Sequence, residues 1–268
     1  RVDLRGLTFS FLEWGDASSP PLALLHGLTG HAHIWDHMGP ALARRYHLLV
    51  PDQRGHGETS AATSYDTVDF VEDLEALAGH WDIQRFALMG LSMGGHNGIA
   101  YTAAYPHRVS QLIAIDIPPK LDMKRGPNWE AIARLAETGH PSFTSLDEAV
   151  EAARAGNPTA PEENLRYRTE NNLVRAEDGS LRLKYDHRVQ AGWNPEDLWP
   201  KLASVKAPVL LVRGGLTTVL PQDTAARMVA AFPDCDFVEV PDSGHSVPTD
   251  RPEKLAPIVI DWLAKRGY

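Results

Sequence analysis

The sequence predicts an α/β protein, a mostly parallel, doubly wound sheet with a helical segment inserted late in the chain. Three observations predict it. Short apolar runs at 22–25, 46–50, 86–90, 109–116 and 208–213 alternate with stretches of helical periodicity, the pattern of buried parallel strands joined by crossover helices. That alternation stops after Pro118-Pro119 and returns at Pro208. Between the third run and the helical stretch that follows it lies a junction, Gly90-Leu91-Ser92-Met93-Gly94-Gly95, in which a serine is flanked by glycines where a strand gives way to a helix.

Each element has its own signal. Residues 7–12 read as a strand closed by Gly15-Asp16, and 22–25 as a buried strand ending in His26-Gly27-Leu28-Thr29-Gly30. A helix is expected over 34–45. The strand at 46–50 ends in Pro51-Asp52-Gln53-Arg54-Gly55-His56-Gly57, where Asp52 and Arg54 are expected to hold the turn. Residues 67–80 place Val68, Val71, Leu74, Leu77 and Ala78 on one helical face. The strand at 86–90, a small-residue helix near 97–104 and the strand at 109–116 follow. From 120 to 200 the chain is richer in charge and lacks a continuous apolar strand, with helical patterns at 129–138, 146–155 and 161–171. A strand at 208–213, a helix at 222–232, a strand at 236–240 and a helix at 252–265 complete the chain. Residues 1–119 and 201–268 are therefore expected to form the core, and 120–200 a helical lid.

Composition narrows the function classes. The 268 residues carry a formal net charge of −9 and no dense Lys/Arg cluster, which argues against a nucleic-acid partner. The lone Cys235 excludes an internal disulfide and a cysteine-based metal site. No stretch has the length of a membrane span, and Arg1-Val2-Asp3 has no signal-peptide character, so a cytoplasmic, membrane-free protein is expected, as monomer or homodimer.

The glycine-flanked serine gives the chemistry its starting point. In a sharp strand-to-helix turn Ser92 is lifted above the sheet edge, and the Met93 N–H at the helix start points into the same space as an oxyanion donor. A serine nucleophile also needs a base and a group to orient it. His245, in Asp242-Ser243-Gly244-His245-Ser246, follows the last strand and is the base candidate. His26-Gly27-Leu28 follows an early strand and offers the Leu28 N–H as second oxyanion donor, with His26 shaping the loop.

Together, His26-Gly27, the 52–57 turn, the Ser92 elbow, Arg213-Gly214-Gly215 and Gly244-His245 resemble the α/β-hydrolase family over nearly the whole chain outside the lid. The resemblance implies the α/β-hydrolase fold and a cofactor-independent serine hydrolase acting on a small-molecule ester or amide. Most members carry the triad acid shortly after the strand corresponding to 208–213, where this chain has Thr218. Asp116 is the best substitute, with Asp242 and Asp223 as alternatives. The order Ser92, Asp116, His245 keeps the family's order of nucleophile, acid and base. Ala114-Ile115-Asp116 and Val212-Arg213-Gly214 without a following Asp are similar to the (E)-2-(acetamidomethylene)succinate hydrolase-like branch. There, lid arginines hold substrate carboxylates, and Arg134 and Arg154 fall at about the matching positions.

Other readings are set beside these. Thr218 in place of the acid favours a ligand-binding homologue that has lost turnover, and some members run cofactor-free C–C or oxygen chemistry with a similar His and acid. His31, His33 and His37 have the spacing of a metal site but lack an obvious completing ligand, so they are read as a helix start and no metal is expected. Trp35, Trp129 and Trp193 are candidates for an apolar substrate wall.

Overall fold

The structure, a computed structural model, describes residues 1–125 and 128–268, with the backbone alone at Arg125. Its main sheet has strands β1 (Phe11–Trp14), β2 (Pro21–Leu25), β3 (His47–Pro51), β4 (Phe86–Leu91), β5 (Val109–Ile115), β6 (Val209–Gly214) and β7 (Cys235–Val240). They lie in the order β7-β6-β5-β4-β2-β3-β1, and all pairings are parallel except β1 with β3. Successive side chains of a strand face opposite sides. Leu22, Leu24, Met89, Ile113 and Ile115 therefore enter one apolar cluster, with Leu255, Val259 and Leu263 of the C-terminal helix. Ala23, Leu25, Leu88, Leu112 and Ala114 enter a second, on the other face. Each fully buried Leu or Ile contributes about 1.5–3 kcal/mol, which fixes the register of the central strands.

The longer helices among the described residues are α1 (Thr67–His80), α2 (Met93–Ala104), α3 (Trp129–Thr138), α4 (Leu146–Arg154), α5 (Glu162–Asn171), α6 (Gln222–Ala231) and α7 (Pro252–Lys265). Helices α1, α2 and α6 cover the second cluster, and α7 covers the first. Helix α1 buries Thr67, Phe70, Val71, Leu74, Leu77 and Ala78, whereas Val68 is 59% exposed. Its apolar face is thus rotated toward Phe70 relative to the expectation.

Several expectations are corrected. The strand at 7–12 is two strands broken at Ser10, whose N–H bonds Thr59 Oγ1 instead of a ladder partner; the first half, Leu7–Phe9, forms a hairpin with Val2–Leu4. The helix at 34–45 is a short 3₁₀ turn, Ala32–Trp35, and a single α turn, Gly39–Leu42. Pro40 has no N–H for a continuous ladder, and Gly39 packs so close to the Trp14 ring that no side chain fits. The 120–200 segment carries, besides α3, α4 and α5, a small hairpin of Leu173–Arg175 with Leu181–Leu183.

Polar ties anchor this insert to the core. Trp193-Asn194 pairs in parallel with Tyr65-Asp66, Tyr65 Oη donates to Asp186 Oδ2 at 2.5 Å, and Thr159 Oγ1 donates to Asp250 Oδ2 at 2.6 Å. Arg54 does not hold its own turn as expected. Its guanidinium forks onto Asp73 of α1 at 2.6 and 2.8 Å. Asp52 does hold it, accepting the N–H groups of Ala32 and Glu58 at 2.7 and 2.9 Å.

Candidate active site

The candidate site lies at the carboxyl ends of β2, β4, β5 and β7, where ligands of open α/β sheets bind. Ser92 connects β4 to α2 with φ 52 and ψ −119, a conformation that costs a non-glycine residue about 1–3 kcal/mol and lifts it out of the strand. The turn closes so tightly that a Cβ at Gly90 would overlap the Gly94 carbonyl, and one at Gly94 would overlap Leu25 O. The Ser92 N–H is held by Ile115 O at 2.8 Å. Met93, as first residue of α2, has no acceptor for its N–H within the helix.

Asp116 follows β5 with φ 51 and is fully buried. Its carboxylate receives hydrogen bonds from three groups. His245 Nδ1 and Thr217 Oγ1 both donate to Oδ2 at 2.6 Å, and the Gly214 N–H donates to Oδ1 at 3.1 Å. The bond from His245 fixes the imidazole tautomer and leaves Nε2 as the basic nitrogen. Asp242, by contrast, is exposed and pairs with Lys254 at 3.1 Å, and Asp223 is an exposed residue of α6. Thr218, at the position where an acid is expected, is exposed; its neighbour Thr217 is the residue that turns inward.

Ser92 and His245 line one small chamber of about 40 Å³ with Gly27, Leu28, Ser246 and Arg168. The Gly27–Gly30 loop beside it is a turn closed by the Gly30 N–H on Gly27 O at 3.0 Å, which does not use the Leu28 N–H. Two buried histidines build that loop. His26 donates from Nδ1 to Gly27 O and accepts the Gln53 N–H at Nε2; His56 Nε2 accepts the N–H of Thr29, which has φ 62. Burial in this apolar setting lowers His26 to about 4 and His56 to about 3, so both are neutral scaffolding. Gly244, the residue before His245, is held by Asp250, whose Oδ2 accepts its N–H at 2.7 Å.

The lid arginines named from the sequence stand elsewhere. Arg134 is exposed on α3 over an open hollow, and Arg154 on α4 pairs with Glu151 and Glu162. Neither lines the Ser92 chamber. The arginine that does is Arg168, on the face of α5 that also buries Leu165 and Thr169. No local signal in the sequence sets it apart from the other arginines of the segment. Trp35 is buried in the first core cluster. Trp193 packs with Tyr65, Phe70 and Met93 and meets His96 edge-on at 5.7 Å, and Trp129 is half-buried at the start of α3. None of the three lines the chamber. His33 pairs with Asp36 at 2.8 Å and His31 Nε2 donates to Arg168 O at 2.9 Å; among the described residues no group of His, Cys, Asp and Glu has the arrangement of a metal site. No helix among the described residues is long and apolar enough to cross a membrane.

Comparison with known proteins identifies the family. The sequence profile of the alpha/beta hydrolase fold matches residues 20–252. The chain is 30% identical over 268 residues to 2-(acetamidomethylene)succinate hydrolase of Mesorhizobium japonicum, covering 98% of this chain and 94% of that one. It is 29% identical to a 3-hydroxybutyrate-oligomer hydrolase of Cupriavidus necator, over 92% of this chain and 90% of the other. A crystal structure of E-2-(acetamidomethylene)succinate hydrolase superposes with a TM-score of 0.86 at 26% identity, covering 98% of each chain.

Proposed function

From the chain's membership of the α/β-hydrolase family, established by the match over residues 20–252, we propose that it is a cofactor-independent serine hydrolase cleaving a small carboxylic ester or amide through an acyl-enzyme on Ser92. The observation that carries the reading is the Asp116–His245 bond of 2.6 Å, with His245 and Ser92 lining one chamber. Relatives named as hydrolases, one of 2-(acetamidomethylene)succinate and one of 3-hydroxybutyrate oligomers, support the reaction class.

In this mechanism Ser92 Oγ attacks the substrate carbonyl while His245 Nε2 takes its proton. The Asp116 carboxylate holds the ring and stabilises the imidazolium. The Leu28 and Met93 N–H groups receive the developing oxyanion; losing one such donor typically costs about 10²–10³ in kcat. His245 then returns the proton to the leaving alcohol or amine, activates water, and the acid product departs with Ser92 regenerated. A hydroxyl at position 217 instead of a carboxylate at 218 is no obstacle, because the negative charge comes from β5.

The test is a fluorophosphonate label followed by peptide mapping. Covalent modification of Ser92, abolished in Ser92→Ala and strongly slowed in His245→Ala, is expected. An unlabelled Ser92 in folded protein would return the chain to the non-catalytic ligand-binding reading, and C–C cleavage or oxygen-consuming activity that survives Ser92→Ala would move it to that chemistry.

A further inference from the structure

The loop that carries His245 leaves β7 at Val240 and reaches α7 at Pro252 through one short helical turn, Val247–Asp250. A catalytic base must be held within about 0.5 Å of its productive position. The His245 ring is tied through Nδ1 to Asp116. The residues on either side of it are both held by the insert. The Gly244 N–H donates to Thr159 Oγ1 at 3.1 Å, and Ser246 Oγ donates to Asn157 Oδ1 at 3.1 Å. Farther along the loop, Thr249 O accepts from Asn164 Nδ2 at 2.8 Å.

Thr159 has a double part in this grip. Its hydroxyl accepts the Gly244 N–H and donates to Asp250 Oδ2 at 2.6 Å, while Asp250 Oδ2 accepts the same Gly244 N–H at 2.7 Å. Hydroxyl, carboxylate and N–H thus close on one another immediately before the base. Asp250 is only 1% exposed. A carboxylate buried this far is fixed by its donors, and bonds to an ionised acceptor are about twice as strong as neutral ones. Without the Thr159 hydroxyl, Asp250 keeps the Gly244 N–H and a long contact from Ser243 Oγ at 3.4 Å. A Cβ at position 244 would lie 2.6 Å from Thr159 Oγ1, so the insert's hydroxyl fills the space beside the backbone that leads into His245.

The same stretch of the insert reaches the opposite wall of the chamber. Arg168 O accepts from His31 Nε2 at 2.9 Å, and Asn172 Nδ2 donates to Thr29 O at 3.1 Å, both in the loop after β2. Residues 157–172 therefore bridge the loop of the expected oxyanion donor and the loop of the base. The tie of Tyr65 to Asp186 differs. It is as short, at 2.5 Å, but fastens the insert to the residues before α1 and makes no bond to the 241–251 loop among the described residues.

Resting on the serine-hydrolase reading, we propose that the insert positions the base. Thr159 is a positioning residue that, with Asp250 and the Gly244 N–H, fixes the loop from which His245 reaches Ser92 and Asp116.

The experiment compares wild type, Thr159→Val, Thr159→Ser and Tyr65→Phe as intact proteins. Three quantities are read: kcat and KM on p-nitrophenyl acetate, the rate of fluorophosphonate labelling of Ser92, and the urea midpoint. Thr159→Val is expected to lower kcat and the labelling rate by about ten- to a hundredfold, the scale of a misplaced catalytic group, with KM unchanged. Thr159→Ser keeps the hydroxyl and should keep the wild-type kcat. Tyr65→Phe loosens the insert without touching the His245 loop and should also keep it, whatever its urea midpoint. Should Thr159→Val fail to fold, Thr159→Ala removes the hydroxyl without putting a methyl in its place. A folded variant lacking the hydroxyl that retains wild-type kcat and labelling rate overturns the proposal. An equal loss of kcat in Tyr65→Phe overturns it too, because Thr159 would then be one anchor of the insert among others. So does a raised KM at unchanged kcat, which would place the effect on substrate binding. Labelled wild type with an indifferent Thr159→Val refutes this inference alone. Wild type that neither labels at Ser92 nor turns over the ester refutes the hydrolase reading and this inference with it.

Discussion

Replacing Thr217 by Val tests whether the acid of β5 depends on the loop after β6. Valine keeps the shape of threonine and deletes the hydroxyl. That hydroxyl donates to Asp116 Oδ2 at 2.6 Å, the same oxygen that binds His245, and accepts the Val219 N–H at 3.1 Å. Asp116 is fully buried, so no water replaces the lost donor at once. A hydrogen bond to a charged group is worth about 1.5–3 kcal/mol, and a factor of ten in rate corresponds to about 1.4 kcal/mol. If the whole bond is felt when the imidazolium forms, kcat falls by about 10- to 150-fold. The Val219 contact is a neutral hydrogen bond and adds about 1 kcal/mol of lost stability without touching the chemistry. The assay is steady-state kcat on p-nitrophenyl acetate, beside the urea midpoint, for Thr217→Val, Thr217→Ser and Thr218→Val. Serine keeps the donor and should stay near wild type, and the exposed Thr218 should be silent. A folded Thr217→Val enzyme with kcat within about twofold of wild type would refute the reasoning, because it would mean that two donors hold Asp116 as well as three.

The remaining predictions use the same structure. Asp116→Asn should lower kcat by about 10⁴ with the fold intact, and Asp242→Asn should leave it unchanged; the reverse pattern in kcat measurements would reassign the acid. Burial holds His26 near 4 and His56 and His96 near 3, and lowers His31 and His140, while the unfolded chain protonates its histidines near 6.5. The unfolded state thus binds more protons below that value. Stability contributed by these groups is complete above about pH 6.5 and is lost as pH falls toward 3–4, with His33, raised by Asp36, acting weakly in the opposite sense. The urea midpoint should therefore drop clearly between pH 7 and pH 5, and a flat profile would contradict neutral burial. Asp73→Asn should cost about 1.5–3 kcal/mol in a denaturant titration, since the buried Arg54 guanidinium loses its forked partner and keeps Asp69 at 3.3 Å.

The parts of the fold legible in the sequence are those where burial is complete. Strands β4 and β5 are buried at every position, so their apolar runs stand out, and the serine elbow is legible because glycine at 90 and 94 answers a steric demand of the backbone. The short helix after β2 was obscured because the pattern at 34–45 is helical while Gly39-Pro40 cannot continue one. The hairpin at 173–183 was hidden because its strands are short and largely exposed, leaving no alternation to read. In the site, Ser92, Asp116 and His245 were named from chain order and strand ends, and the structure joins His245 to Asp116 and brings Ser92 and His245 to one chamber. The arginine was misplaced for a different reason. A charged residue on an amphipathic helix reads as solvent-facing, and nothing local distinguishes Arg168, which faces a cavity, from Arg154, which faces two glutamates.

On the proposed reading, with Asp116 as the acid, the loop after β6 has a different task. Because β5 lies beside both β4 and β6, a carboxylate at its end stands between the elbow and the 214–220 loop. The loop is then free of the need to carry charge, and what it contributes instead are donors, the Gly214 N–H and the Thr217 hydroxyl, which hold the buried Asp116 in its positive-φ conformation. Arg213 braces this arrangement from below, donating to Leu220 O at 2.8 Å and pairing with Glu239 of β7 at 2.6 Å. The two ends of the loop are thereby tied to the strand from which His245 departs. A charge at position 218 would add nothing to this network, because that side chain points to solvent. Thr217 and Thr218 are thus not equivalent: Thr217 is a hydrogen-bond partner of Asp116, and Thr218 is exposed.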